Sequence, residues 1–372
     1  MTHTSPSPSL NDRTVSRTRS RSRSSATSRF VTRVLDMESL LVRVDGDVPD
    51  DRPDAVEDKV ANTDGTDGDP IEDAQISDPD LTDSKEGLWA LEKADLFNIL
   101  CIPPLGRGDD VGKITRDTAA RFCCIHRAMY VMDAPSDWLR LDQVAGGLDG
   151  LRTGNDENVA VYFPRIRAPD PRNENRLEEF APCSAVAGIY ARTDVQGGVW
   201  RAPAGQEAVV AGAQELAVKL TDFEQVSLNQ VGLNCLRAFP RIGSVIWGAR
   251  TLKGADELAS EWKYVPIRRL ALFIEETLYR GTKWAVFEPN DEPLWAQIRL
   301  IIGAFMQNLF RQGALKGTSQ DHAYFVRCDA ETTTQEDRGN GIVNILVGFA
   351  SLKPAEFVII KISQIAGRAT MK

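Results

Sequence analysis

Histidine, paired cysteine and long apolar runs are what this chain most lacks. Only three histidines occur in 372 residues, and two of them, His126 and His322, lie in the part with a globular composition. Neither has a partner motif, and His126 follows Cys123 by three residues without the second ligand pair that a zinc site needs. The six cysteines (Cys101, Cys123, Cys124, Cys183, Cys235 and Cys328) form no Cys-x-x-Cys pair, which suits reduced thiols in a core better than a disulfide framework. No apolar run approaches the roughly 18 residues of a membrane-spanning helix, and the N-terminus has no apolar stretch of a secretory signal. The expectation is a chain made and assembled in the cytoplasm, with no membrane insertion. Nucleophile elbow, P-loop, dinucleotide fingerprint and His-Glu-x-x-His are all missing. Glu275 and Glu276 are neighbours on a predicted helix and diverge by about 100°, so they do not converge on one substrate. Asp64, Asp67 and Asp69 hint at a calcium loop, but its terminal Glu does not follow. The sequence therefore nominates no catalytic, metal-binding or cofactor-binding residue, and no specific nucleic-acid partner.

What is present is unevenly distributed. The formal charge of -9 divides into +6 for residues 1–33, -14 for residues 36–86 and -1 for the remainder. The first segment is a Ser/Thr/Arg tract and the second is rich in Asp, Gly and Pro, compositions that bury too little apolar surface to offset chain entropy. Residues 1–86 are accordingly expected to be a disordered leader, interrupted by one apolar patch at residues 34–44. The near-neutral body suits close packing of identical subunits, which strong like charge would oppose.

From Leu88 onward, strands and helices alternate. Residues 97–102, 128–135 and 158–166 read as buried strands, and residues 115–127 and 180–194 as helices, which predicts a parallel sheet covered by helices. A second pattern follows WRAPAG at residues 200–205. Residues 243–250 read as a strand, as do VGLNCLRAF before them and KWAVFEPN. Two helices carry apolar stripes: Ile267, Leu270, Ile274 and Leu278 in the first, and Leu294, Ile298, Ile301, Phe305 and Leu309 in the second, expected to be buried on most sides. AYFVRCDA, GIVNILVGFA and AEFVIIKISQIAG complete the chain as strands. The last is strongly β-branched and follows the Pro-containing linker SLKPAE. It closes its own sheet as a hairpin arm, or it leaves the body and adds to the open sheet edge of another copy. Repeated from copy to copy, that second contact is heterologous and builds a filament or helical tube.

In order, ALEKADLFNILCIPP, GVWRAPAG, GSVIWGARTL, VPIRRL, KWAVFEPN and KPAEF resemble the contractile tail sheath family of phage tails and phage-tail-like injection systems, most closely its extracellular injection-system branch. The similarity spans about residues 71–367. It implies an α/β fold: a subtilisin-like, helix-covered sheet domain without a catalytic triad at residues 87–200, then a mixed α/β sheath domain at 201–372 with an extended terminal strand. It implies a structural subunit, not an enzyme, that surrounds an inner tube and contracts to drive it through a target envelope. Implied partners are further copies of the chain, the inner tube protein, and baseplate and sheath-terminator proteins, in a particle released as a virion or injection system. The exchanged strand maps onto Phe357, Val358, Ile359, Ile360, Lys361, Ile362 and Ile365. The tube contact is assigned by position and charge to the polar segment holding Glu331, Gln335, Glu336, Asp337 and Arg338. The family's usual N-terminal arm is replaced here by the Arg/Ser tract and acidic linker. That leaves open a specialised paralogue that caps or intercalates in the sheath. A subtilisin-like hydrolase is the remote alternative.

Overall fold

Strands buried on both faces read as continuous apolar runs, and such runs form the centre of the molecule. A computed structural model describes residue 69 and residues 71–354, all of them in one unit that begins at Asp69. β1 (Ile99–Cys101), β2 (Met129–Asp133) and β3 (Val159–Phe163) pair in parallel, β7 (Leu233–Phe239) adds in parallel to β3, and β8 (Gly243–Ile246) returns antiparallel to β7. The five-stranded order β1-β2-β3-β7-β8 thus carries the sheet across the division expected at residue 200.

Side chains alternate between the two faces. Tyr130, Met132, Val159, Val161 and Phe163 meet Ala119, Phe122 and Cys123 of α1 (Lys113–Ile125) on one face. Met129, Val131, Ala160 and Tyr162 meet Val186, Ile189 and Tyr190 of α2 (Cys183–Gly197) on the other. The Tyr162 and Tyr190 hydroxyls, both fully buried, satisfy each other at 2.6 Å. α3 (Asp222–Gln230) packs Leu228 onto the first face. Its start is fixed by a capping box in which Thr221 Oγ1 accepts from the Glu224 amide and Glu224 accepts from the Thr221 amide.

Four expectations need correction, the last of them in the third core. Residues 71–86 are not part of a disordered leader: short helices occupy Asp73–Ser77 and Leu81–Ser84, and the buried Ser77 hydroxyl bonds Thr115 at 2.8 Å. The strand expected at 158–166 stops at Phe163, because Pro164 has no amide to continue the ladder. Beyond it β4 (Ile166–Asp170) joins a separate antiparallel sheet with β5 (Arg176–Phe180) and β6 (Glu215–Leu216). KWAVFEPN is not a strand but a short 3-10 turn, Lys283–Ala285, followed by a bend in which Phe287 has φ 75°. That left-handed backbone cannot continue a ladder.

The third core begins on α4 (Val265–Gly281) and α5 (Glu292–Arg311). α5 is buried along Leu294, Trp295, Ile298, Ile302, Met306 and Leu309, whereas Leu300 and Ile301 are exposed, so it is one-sided rather than enclosed. Against it lie β9 (Tyr324–Arg327) and β10 (Leu346–Phe349), an antiparallel pair. Residues 1–68, the Phe357–Ile365 segment and the remainder of the C-terminus lie outside the described residues.

Candidate assembly interface

Arginines of the RRL and GAR segments are buried and turned inward. Arg269, 4% exposed in its side chain, donates in bidentate fashion to Asp194 at 2.7 and 2.6 Å and stacks on the Tyr190 ring, which joins α4 to α2. Arg268 donates to Asn158 Oδ1 at 3.0 and 3.2 Å at the entry to β3. Asn234 holds the backbone of Arg250 from both sides, accepting from its amide and donating to its carbonyl, each at 2.7 Å. Such fork-shaped, desolvated contacts fix relative geometry. Glu276 accepts from Arg127 and Arg280, while Glu275 pairs with Arg268 at 3.6 Å, so the two carboxylates serve different partners, as their spacing predicts.

At the carboxyl edge of the parallel strands, where enzymes of open α/β architecture keep their chemistry, the crevice is filled. Asp133 accepts from the Cys183 amide at 2.7 Å, and Arg165 is held on the Arg107 and Asp109 carbonyls and on Asp110. The space between them is about 10 Å³, enough for one water and no substrate. His126 is elsewhere, stacked on Phe122 at 4.2 Å, and His322 is exposed. Four of the six free cysteines are buried, as the composition suggests. Cys101 is only partly so, and a hydrogen bond with Cys183 lowers its thiol to about 7.

Burial raises the Asp133 carboxyl to about 6. Protonation therefore favours the folded chain: this contribution is complete below about pH 4 and is lost as pH rises through about 6. Asp133→Asn keeps the acceptor for the Cys183 amide and removes the charge. It should raise unfolding stability at pH 8 by up to about 3 kcal/mol and change nothing at pH 4. Urea unfolding at both pH values tests this, and a variant less stable than the parent at pH 8 would contradict it.

The β9-β10 pair stands apart from the two larger sheets. Among the described residues the sheet has two strands, so each keeps one edge without a strand partner. Gly348 faces Phe325 across the ladder, and a Cβ there would collide with the Phe325 ring. Phe325 and Leu346 are about half exposed. The chain then runs to Pro354, from which 18 residues remain.

Beside this pair stands the polar segment. α6 (Gln335–Gly339) is capped reciprocally by Thr334 and Asp337, and Asp337 also accepts from Asn344 at 3.1 Å. The Thr334 hydroxyl bond lowers the Asp337 carboxyl below its ordinary value. Arg338 lies 4.4 Å over the ring of Trp295, whose indole donates to Asn290, which in turn donates to the Ile342 carbonyl. Asp337 and Arg338 thus hold the segment to its own chain, whereas Glu331, Gln335 and Glu336 face solvent. The [ST]-x-x-[DE] spacing of Thr334 and Asp337 was available in the sequence as a capping signal; the stacking of Arg338 on Trp295 was not.

Residues 157–252 match the phage tail sheath protein central domain, and residues 257–365 the phage tail sheath C-terminal domain. The tail sheath protein of Vibrio phage KVP40 is 28% identical over 271 residues, covering 67% of this chain and 37% of that protein. The chain thus spans little more than a third of that relative's length. Its fold is similar to that of a chain in the contracted PVC sheath complex, an extracellular contractile injection system, with TM-score 0.63, 31% identity and 75% of each chain covered. A chain of the anti-feeding prophage baseplate gives TM-score 0.60 at 29% identity, with 74% of this chain and 71% of that one covered.

Proposed function

The chain belongs to the phage tail sheath family, and from that premise we propose that it is a structural subunit of a contractile sheath. Copies of it surround an inner tube and shorten together to drive the tube through a target envelope. The observation that carries this reading is the β9-β10 pair, each strand of which keeps an edge without a strand partner among the described residues, five residues before a β-branched terminal segment begins. Main-chain bonds to a neighbour's edge hold copies together while letting rigid bodies rotate, as a lattice with two lengths requires. In this reading Phe357, Val358, Ile359, Ile360, Lys361, Ile362 and Ile365 form the donated arm, and the sheet layer below is a subtilisin-like scaffold without catalytic work. Assembly takes place in the cytoplasm on a baseplate and ends at a terminator protein. The subunit then leaves as part of the particle.

Electron microscopy of the chain expressed with an inner tube protein tests the proposal. Striated sleeves are the expected result. Decoration of tube ends alone would favour the capping paralogue, and a monomer with hydrolytic turnover would overturn the structural role. The tube contact is proposed at Glu331, Gln335 and Glu336, with Asp337 and Arg338 setting the shape of the segment. Because Asp337 caps its own helix, the informative change is Glu331→Lys with Glu336→Lys. Co-sedimentation with tube should fall about tenfold, the scale of one or two lost charge contacts; unchanged recovery would remove these residues from the interface.

A further inference from the structure

Cys101 and Cys183 are 82 positions apart in the sequence and meet in the fold. Cys101 closes β1, which stands at one edge of the five-stranded sheet, and it packs against the second core while keeping part of its surface exposed. Cys183 is the first residue of α2 and belongs to that core, fully buried. Three contacts set its position. Its amide donates to Asp133 at 2.7 Å, its Sγ lies 3.9 Å from Ser184 Oγ, and its thiol is hydrogen-bonded to the Cys101 sulfur. The two sulfurs differ in character. The bond from Cys183, with a smaller one from Ser184, stabilises the Cys101 thiolate, whereas that same bond and burial keep Cys183 protonated. Burial alone governs other sites: it raises the thiols of Cys123 and Cys328 and pushes that of Cys235 to about 12. A partly exposed, acidified thiol beside a second, protonated one is the arrangement of an attacking and a resolving cysteine.

We propose that Cys101 and Cys183 form a redox pair, in which Cys101 meets the oxidant and Cys183 closes an intramolecular disulfide. The oxidant is a hydroperoxide, a class that includes molecules small enough to reach a half-buried sulfur. With hydrogen peroxide, the Cys101 thiolate attacks one peroxide oxygen: an S–O bond forms, the O–O bond breaks, and hydroxide leaves and collects a proton from solvent. The sulfur loses two electrons, the peroxide gains them, and a sulfenic acid remains. The Cys183 sulfur then attacks the oxidised sulfur. An S–S bond forms, the S–O bond breaks, and the departing oxygen takes the Cys183 proton and leaves as water. The new bond ties the edge strand β1 to the start of α2, whose other end is already held through Asp194 to Arg269. Closing so long a loop restricts the unfolded chain more than the folded one. None of this chemistry rests on the sheath reading.

Hydrogen peroxide added to the folded full chain tests the pair. Excess peroxide is removed, free thiols are alkylated in denaturant, and unreduced peptides are read by mass spectrometry. The expected product is one peptide pair joined through Cys101 and Cys183, two hydrogens lighter than its parts and released by dithiothreitol. Two of the six free thiols per chain are lost with it. In Cys183→Ala the bridge is absent and dimedone captures Cys101 as its sulfenic acid. That variant should also take up iodoacetamide at Cys101 about fivefold more slowly at neutral pH, because the lost thiolate outweighs the gain in intrinsic nucleophilicity. In Cys101→Ala neither the bridge nor a dimedone adduct appears at Cys183. Six free thiols after treatment of the parent would overturn the proposal. So would a dimedone-reactive Cys101 in the parent without the bridge, or a bridge that forms only in denaturant or only between copies.

Discussion

Ending the chain after Ala355 yields a folded monomer that builds no sleeve: this is the largest effect expected of any change. None of the described residues that form the three cores is removed, so the thermal transition of the body should stay within a few degrees of the parent's. In the proposed assembly, what is lost is the segment that pairs with the edges of β9 and β10 that have no strand partner among the described residues. A sharper version replaces Ile360 and Ile362 with proline in the full chain. Proline has no amide to donate and is tolerated only at strand edges. Three or four ladder bonds at about 1 kcal/mol each correspond to two or three powers of ten in the contact constant. Sedimentation and electron microscopy read the result directly. Sleeves formed by either variant at the parent's concentration would remove the donated strand from the account of assembly.

Arg269→Ala carries the second large effect, this time within the monomer. The guanidinium is almost wholly buried, makes two short bonds to Asp194 and lies 4.9 Å over the Tyr190 ring. Removing it strands a carboxylate that is four-fifths buried and opens a space between α4 and α2. Breaking one member of such a pair costs about 3–5 kcal/mol, whereas replacing both by well-packed apolar residues costs much less. Urea unfolding should therefore place Arg269→Ala well below the parent, and Arg269→Met combined with Asp194→Leu above the single alanine variant. A loss under about 1 kcal/mol for the single change would mean that the pair behaves as a surface contact.

How far the sequence led depends on which physical signal each element carries. β2 and β3 are buried on both faces and were legible as unbroken apolar runs. α4 and α5 were legible from their stripes. β4 and β5 escaped because their sheet is shallow and charged, with Arg167 and Glu179 paired across it, so no apolar alternation marks it. α3 escaped for a different reason: it is nine residues long, and only the Thr221–Glu224 capping box announced it. KWAVFEPN was misread because its aromatic and β-branched content suits a strand, while the left-handed backbone at Phe287 is a tertiary outcome that composition does not encode. The polar segment was legible as acidic and exposed. Its division into exposed Glu331, Gln335 and Glu336 and inward Asp337 and Arg338 depended on Trp295, some forty residues away in the chain.

The arginine clamps also have a mechanical consequence. α4 is tied to α2 through Arg269 and to the entry of β3 through Arg268, while its C-terminal turn is tied by Arg280 to Asp95 just ahead of β1. The two buried points, Arg269 and Arg268, are the stiff ones, since the Arg280–Asp95 pair is exposed and weak. In a lattice that changes length, elastic yielding is then confined to the joints between subunits. In the proposed sheath, the work of contraction would then pass from subunit to subunit with little distortion inside each one.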